Sequence, residues 1–368
     1  METAPSLTTA LSQQLQEAIR ANSGWLGFER FMELALYSPG LGYYAGERQK
    51  FGLFPLAPGS DFVTAPEMSP FFGRALATQV AQALEKTGTR SVWEFGAGSG
   101  ALAKQLLQSL GDSVDDYVIV DLSGSLRQRQ QAALEPFGAK VRWVEALPAQ
   151  IDGVVIGNEL LDAMPVTLLA RCAGAWYERG VALDDQGSLV WQHRPSSLRP
   201  PLDVAGGDDY LTEVHPQAEA FVRTLVQSLR RGVLLLIDYG FPEREYYHAQ
   251  RCMGTLVCHQ AHRVDHNPLS QVGAKDITAH INFTGLALAA QDAVPQGLTL
   301  LGYTSQARFL MNCGILDLLQ DASLQQRAMA QKLLLEHEMG ELFKVIAWCR
   351  GEPWDAIGFA QGDRSATL

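Results

Sequence analysis

The chain of 368 residues predicts an α/β fold: a parallel, helix-covered sheet with an N-terminal helical segment and a β insertion. Three observations carry that expectation. Strand-length apolar runs alternate with helical patterns from residue 91 to 157, and such alternation calls for parallel strands joined by helical crossovers. The stretch Ser91-Val-Trp-Glu-Phe-Gly-Ala-Gly-Ser-Gly100 reads as strand, glycine turn and helix start, the place where an open Rossmann-like sheet lets a ligand approach backbone amides. The rhythm then breaks: Val166–Arg171, Ala175–Val181 and Leu189–His193 look like short strands of an inserted sheet.

Ahead of the glycine turn, Leu7, Leu11, Leu15, Ala18 and Ile19 form a helical stripe over 7–22. A second helix is expected over Phe28–Tyr37, stopped by Ser38-Pro39-Gly40. Residues 41–60 are rich in Gly and Pro yet hold Tyr43, Tyr44, Phe51 and Phe54, aromatics that a surface loop rarely carries without packing on something. Helix returns over Pro70–Lys86, followed by strand 91–95, helix 100–110, strand 117–121, helix 124–135, strand 141–144 and strand 153–157. After the insertion and a Pro/Gly-rich loop at 195–209 come helix 216–231 and a buried Val-Leu-Leu-Leu-Ile strand at 233–238. An excursion, helix 283–293, strand 298–302, helices at 304–312 and 317–339, and a last strand Phe343–Cys349 complete the pattern. The expected organisation is an N-terminal helical and lid segment (1–65), a core (66–165 and 211–350), the insertion (166–210), a substrate-side excursion within the core (239–282) and a C-terminal tail (351–368).

A net charge of −11 argues against affinity for nucleic-acid backbone and suits a cationic partner. The five cysteines lie far apart with no Cys-x-x-Cys pair, the usage of reduced thiols. With no apolar h-region near the start and no run of membrane-spanning length, this leads to the expectation of a cytoplasmic protein without membrane insertion. His259-x-x-His262 and His266 lack the cysteine or fixed acid that would complete a metal set, so no metal is expected.

Gly96-x-Gly98-x-x-Ala101 also fits the loose dinucleotide fingerprint. Glu94 tilts the reading, because a carboxylate facing the loop repels a pyrophosphate but suits the ammonium of a methionine moiety; S-adenosylmethionine is favoured over NAD. Gly96, Gly98 and Gly100 would make the turn, and Asp121, at the end of the next strand, stands where an acid grips ribose hydroxyls. A second constellation, Asn158-Glu159-Leu-Leu-Asp162, ends the fourth strand, beside the ligand crevice. Paired carboxylates there can hold a guanidinium through bidentate bonds and orient one nitrogen for attack. Asp238 either orients substrate or caps the turn at Gly240. His262 and His280 are candidate proton acceptors, while His259 and His266 are assigned ordinary hydrogen-bonding roles.

From about residue 28 to the last strand the chain resembles the MidA-like class I S-adenosylmethionine-dependent methyltransferases, whose mitochondrial members assist respiratory complex I assembly. The resemblance rests on Phe31–Tyr44, Asp61–Gly73, Trp93–Gly100, Asn158–Pro165, Asp238-Tyr-Gly240 and Gly273–Phe283, in family order. The Thr-x-Pro-Glu, Asn-Glu-x-x-Asp-Ala-x-Pro and Asp-Ile-Thr-Ala-His segments are its narrow signals. It implies a class I methyltransferase sheet and transfer of methyl groups to an arginine nitrogen of a protein, a complex I subunit in the mitochondrial members. It further implies that Glu94, Gly96, Gly98 and Asp121 bind the cofactor, that Thr64, Pro66 and Glu67 close over it, and that Asn158, Glu159 and Asp162 face the substrate nitrogen. Two positions depart from the family pattern: Gly124 follows Ser123 in place of a proline, and Asn282 stands in place of an aspartate. The alternatives are a small-molecule N- or O-methyltransferase enclosed by 166–210 and 239–282, a cofactor-binding assembly factor with little turnover, and a nicotinamide oxidoreductase.

Overall fold

The computed structural model describes residues 7–45, 63–121 and 124–368, so Phe51, Phe54 and Ser123 lie outside the described residues. Seven strands make the main sheet: β1 (Ser91–Phe95), β2 (Asp116–Val120), β3 (Val141–Val144), β4 (Ile151–Asn158), β5 (Leu229–Phe241), β6 (Leu298–Ser305) and β7 (Phe343–Arg350). Their spatial order is β6-β7-β5-β4-β1-β2-β3, with the short strand Ile281–Asn282 paired to the end of β5. Strands β1 to β5 run parallel, and β7 runs antiparallel to β5 and β6. The order reverses between β1 and β4, which opens a crevice at their carboxyl ends. Central strands of such a sheet are covered on both faces and must be apolar throughout; Val154, Val155 and Ile156 of β4 and Leu234 to Ile237 of β5 are all buried. Where β4 and β5 approach most closely, a Cβ on Gly232 would stand 1.8 Å from the Gly153 carbonyl oxygen, so only glycine fits.

Around this sheet the expected helices form, with one exception. The helix expected over 317–339 is three short helices, Ile315–Leu318, Leu324–Leu334 and Met339–Leu342. Ser323 and Gln326 build a reciprocal capping box that starts a new helix instead of continuing the old one. Strands Thr167–Cys172, Ala175–Leu183 and Leu189–Pro195 form a second sheet, joined by Trp25–Gly27 and Tyr210–Val214. Helices Leu7–Ala21 and Phe28–Tyr37 pack against it: Leu11, Leu15, Phe31 and Met32 share one core with Leu168, Val181 and Ile277. Ile277 lies in a small sheet of Val257–Gln260, Arg263–Asp265 and Asp276–Thr278. This shared core holds the N-terminal segment against the excursion, buries Tyr43 and seats Tyr44 on the crevice wall.

The turn after β4 is fixed by a fully buried acid on β5. Asp238 Oδ2 accepts from the amides of Leu160 (3.1 Å), Leu161 (2.8 Å) and Asp162 (3.3 Å), while Oδ1 accepts from the amide of Tyr239 (2.9 Å). Asp238 is thus the cap of this turn. Each buried donor left without an acceptor costs about 1–3 kcal/mol. Asp238→Ala is expected to lower unfolding free energy by about 3 kcal/mol or more, measured by denaturant unfolding.

Candidate active site

A cavity of about 1060 Å³ opens at the carboxyl ends of β1, β2, β4 and β5. Its described wall carries six carboxylates, Glu94, Asp121, Glu145, Glu159, Asp162 and Asp276, and no lysine or arginine. A site so lined favours cations.

One half is built on the glycine turn. Gly96, Gly98 and Gly100 have φ of +67°, +53° and +82°, which side chains rarely adopt. Gly96 and Gly98 are on the cavity wall, whereas Gly100 lies behind it as the residue that starts helix Ala101–Leu110. Glu94, at 3% exposure, accepts from the Tyr117 hydroxyl at 2.7 Å. Burial, against that hydrogen bond and with the charge of Asp121, raises its pKa to about 7. Gln130 is a member of this half that the sequence did not mark. Its amide nitrogen donates to Gly98 O (3.0 Å) and to Asp121 Oδ2 (2.7 Å), and its oxygen accepts from Trp143 Nε1 (2.9 Å). It therefore ties the turn to the acid.

The short helix Ala65–Met68 bridges the two halves. Thr64 and Pro66 reach the cavity wall. Glu67 stays behind it, bonded to Ser99 of the glycine turn, and burial raises its pKa. Gln105 holds the bridge down by donating to Pro66 O (2.6 Å) and accepting from the Gly73 amide (2.9 Å).

Opposite the glycine turn stand the β4 residues. Glu159 takes φ +52°, and its Oε1 accepts from the Ala65 amide (3.1 Å) and from Asn158 Nδ2 (3.0 Å). Asp162 accepts from the Tyr239 hydroxyl at 2.6 Å. Burial raises Glu159 to about 8, opposed by the Ala65 amide and aided by Asp162. Burial likewise raises Asp162 to about 6, opposed by Tyr239. Asn158 is nine-tenths buried and its Oδ1 has no hydrogen-bond partner among the described residues.

The two candidate histidines part company. His280 is on the wall, edge-on to Tyr239 at 5.0 Å, with its Nδ1 buried and lacking a partner among the described residues. Burial, with Arg251 and Lys344 nearby, pushes its pKa down to about 4. His262 is not at the site: Ala261 and His262, both at positive φ, form the exposed two-residue turn between strands Val257–Gln260 and Arg263–Asp265. His259, assigned no functional role from the sequence, is on the wall instead. Strand alternation explains the exchange, because His259 precedes the turn with its side chain inward. Asn282 caps helix Phe283–Ala293 by accepting from the Gly285 amide at 3.2 Å, the job an aspartate would do. Asp276, Tyr37 and Tyr44 complete the wall; the aromatics at 43–44 and the Asp-Ile-Thr-Ala-His segment were their only signals.

These residues fit an adenosylated sulfonium amino acid. The glycine turn brings positive-φ backbone to the wall, Gln130 aims the Asp121 carboxylate, and the described wall offers carboxylates with no lysine or arginine.

Comparison with known proteins agrees. A family model for S-adenosyl-L-methionine-dependent methyltransferases matches residues 75–304. A COG1565 superfamily member from Burkholderia thailandensis, solved with S-adenosyl-homocysteine bound, is 48% identical over the full length of both chains, with a TM-score of 0.93. The mitochondrial protein arginine methyltransferase NDUFAF7 homolog of Caenorhabditis elegans is 27% identical, covering 93% of this chain and 87% of its own length. Human mitochondrial NDUFAF7 is 25% identical, covering 94% and 85%. These curated relatives are mitochondrial, which overturns the cytoplasmic placement expected from the sequence. Scattered thiols separate reducing from oxidising compartments but do not tell one reducing compartment from another. Among the described residues no helix is long and apolar enough to cross a membrane. With its sheet order, its glycine turn and the family match in agreement, the chain belongs to the MidA-like, COG1565 family of class I S-adenosylmethionine-dependent methyltransferases.

Proposed function

We propose that the protein methylates an arginine nitrogen of a protein substrate, a respiratory complex I subunit being the target that the family resemblance implies. The observation that carries this reading is the pairing of Glu159 and Asp162 in a cavity whose described wall bears six carboxylates and no side-chain cation. The activity named for the curated relatives supports it.

When bound, S-adenosylmethionine supplies a methyl group on a cationic sulfur. Glu94, Gly96, Gly98 and Asp121 hold it, with Thr64 and Pro66 covering and Gly100 and Glu67 supporting the turn. Glu159 and Asp162 grip the guanidinium, drawing its positive charge toward the nitrogens they bond and leaving the remaining nitrogen richer in lone-pair density. Asn158 fixes the Glu159 carboxylate through its amide. Glu159 takes a proton from the guanidinium nitrogen it bonds once the methylated cation has formed: an O–H bond forms as that N–H bond breaks. Its raised proton affinity suits that task. His280, kept neutral by burial, is the second acceptor on the wall. Alignment of nucleophile and methyl group supplies most of the rate.

Labelled S-adenosylmethionine on arrays of arginine and lysine peptides tests the reading, with label expected on arginine; label on small metabolites alone would overturn it. Glu159→Gln is expected to slow transfer about 100-fold or more while S-adenosylhomocysteine affinity, read by calorimetry, stays within a few-fold. The same variant exposes the acid's linkage. A folded-state pKa of about 8 means Glu159 holds its proton more tightly folded than unfolded. Its contribution to stability is therefore full below the ordinary glutamate range and lost as pH rises toward 8. Relative to Glu159→Gln, the ligand-free wild type should lose stability between pH 5 and 8, followed by denaturant unfolding.

A further inference from the structure

Beyond the β4 acids, the cavity has a third wall made by segments far apart in the chain. Asp276, 3% exposed, sits on strand Asp276–Thr278 of the excursion. The Tyr44 hydroxyl, 232 residues away, donates to both of its oxygens, at 3.0 and 2.9 Å. Tyr37 stacks on Tyr44 with ring centroids 5.5 Å apart and planes 17° apart. The Tyr37 hydroxyl donates to Ala163 O at 2.9 Å, next to Asp162, while 41% of the residue is exposed. The phenol pair therefore joins the exposed Tyr37 ring to the buried Asp276 carboxylate. Packing around the phenol groups, and then the charge of Asp276, raises the Tyr37 and Tyr44 pKa values.

A second, independent observation points to a donor-rich occupant. The Asn158 Oδ1 atom, at the tip of β4 beside Glu159 in the same cavity, is buried and has no hydrogen-bond partner among the described residues. A guanidinium answers each of these features. It is planar and stacks on aromatic faces, it presents five N–H donors in a fork, and it pairs bidentately with carboxylates. An ammonium has the charge but neither the plane nor the fork.

We propose that Asp276, oriented by Tyr44 and flanked by the Tyr37 ring, forms a guanidinium subsite that selects an arginine side chain over a lysine one. The proposal rests on the arginine reading above and adds the residues that read the side chain. Asp276 is a binding residue here and Tyr44 a positioning residue. Neither accepts the reaction proton.

The test uses the full chain saturated with S-adenosylhomocysteine, titrated calorimetrically with acetyl-Gly-Arg-Gly-amide and acetyl-Gly-Lys-Gly-amide. The wild type should prefer the arginine probe by about tenfold, the scale of one charge-assisted bidentate contact. Asp276→Asn should erase most of that preference while S-adenosylhomocysteine affinity stays within about twofold, a readout that a general loss of structure would move. Should Asp276→Asn fail to bind S-adenosylhomocysteine, Tyr44→Phe carries the test: it keeps the stacked ring, removes the hydroxyl, and should reduce the arginine-to-lysine ratio several-fold. If the wild type prefers arginine and the variants keep that preference, the subsite is overturned while the arginine reading stands. If the wild type binds both probes equally, or neither, the arginine reading falls and the subsite with it.

Discussion

One oxygen of Asp238 meets three amides at the tip of β4, and the placement of the neighbouring acids follows from that contact. The turn it gathers carries Glu159 in a left-handed conformation, which costs a non-glycine residue about 1–2 kcal/mol. The amide of Glu159 is bonded to Ile237 O at 2.9 Å, so the strained residue is held from both sides by β5. A third buried acid beside Glu159 and Asp162 looks unfavourable, and burial together with the charge of Asp162 does raise the Asp238 pKa. Four amide donors converging on its two oxygens offset that penalty.

The cavity repeats this balance on a larger scale. Six carboxylates and no lysine or arginine line the described wall, and burial shifts Glu94, Glu159 and Asp162 toward their protonated forms. Without ligand, the acids that burial affects hold their protons more tightly. A sulfonium, an ammonium or a guanidinium entering the cavity favours the ionised acids, and protons leave. Binding of cationic ligands and ionisation of the acids are thus one linked equilibrium.

Much of this was legible in the sequence because it is local. Short buried apolar runs mark β1, β4 and β5, and the glycine turn and the Asn158–Asp162 stretch each declare a strand tip within ten residues. Trp25–Gly27 was not legible as a strand: three residues show no alternation, and only pairing with Ala175–Leu183 defines it. The helix expected over 317–339 failed for a local reason, since apolar periodicity outweighed the Ser323 restart in that reading. Side chains that meet across the fold left the weakest signals. Gln130 is one polar residue in an unremarkable helix until Trp143 orients it, and the Tyr44–Asp276 contact spans most of the chain.

Tyr44 and Asp276 also lie outside the strands and turns that hold the methyl donor. Tyr44 follows the N-terminal helices and Asp276 belongs to the small excursion sheet, yet both close the same chamber. On the proposed subsite, part of what such an enzyme selects is set in these two appended pieces. The nucleotide-binding machinery could pass unaltered from one substrate to the next, leaving descendants that share a donor pocket and diverge in what they modify.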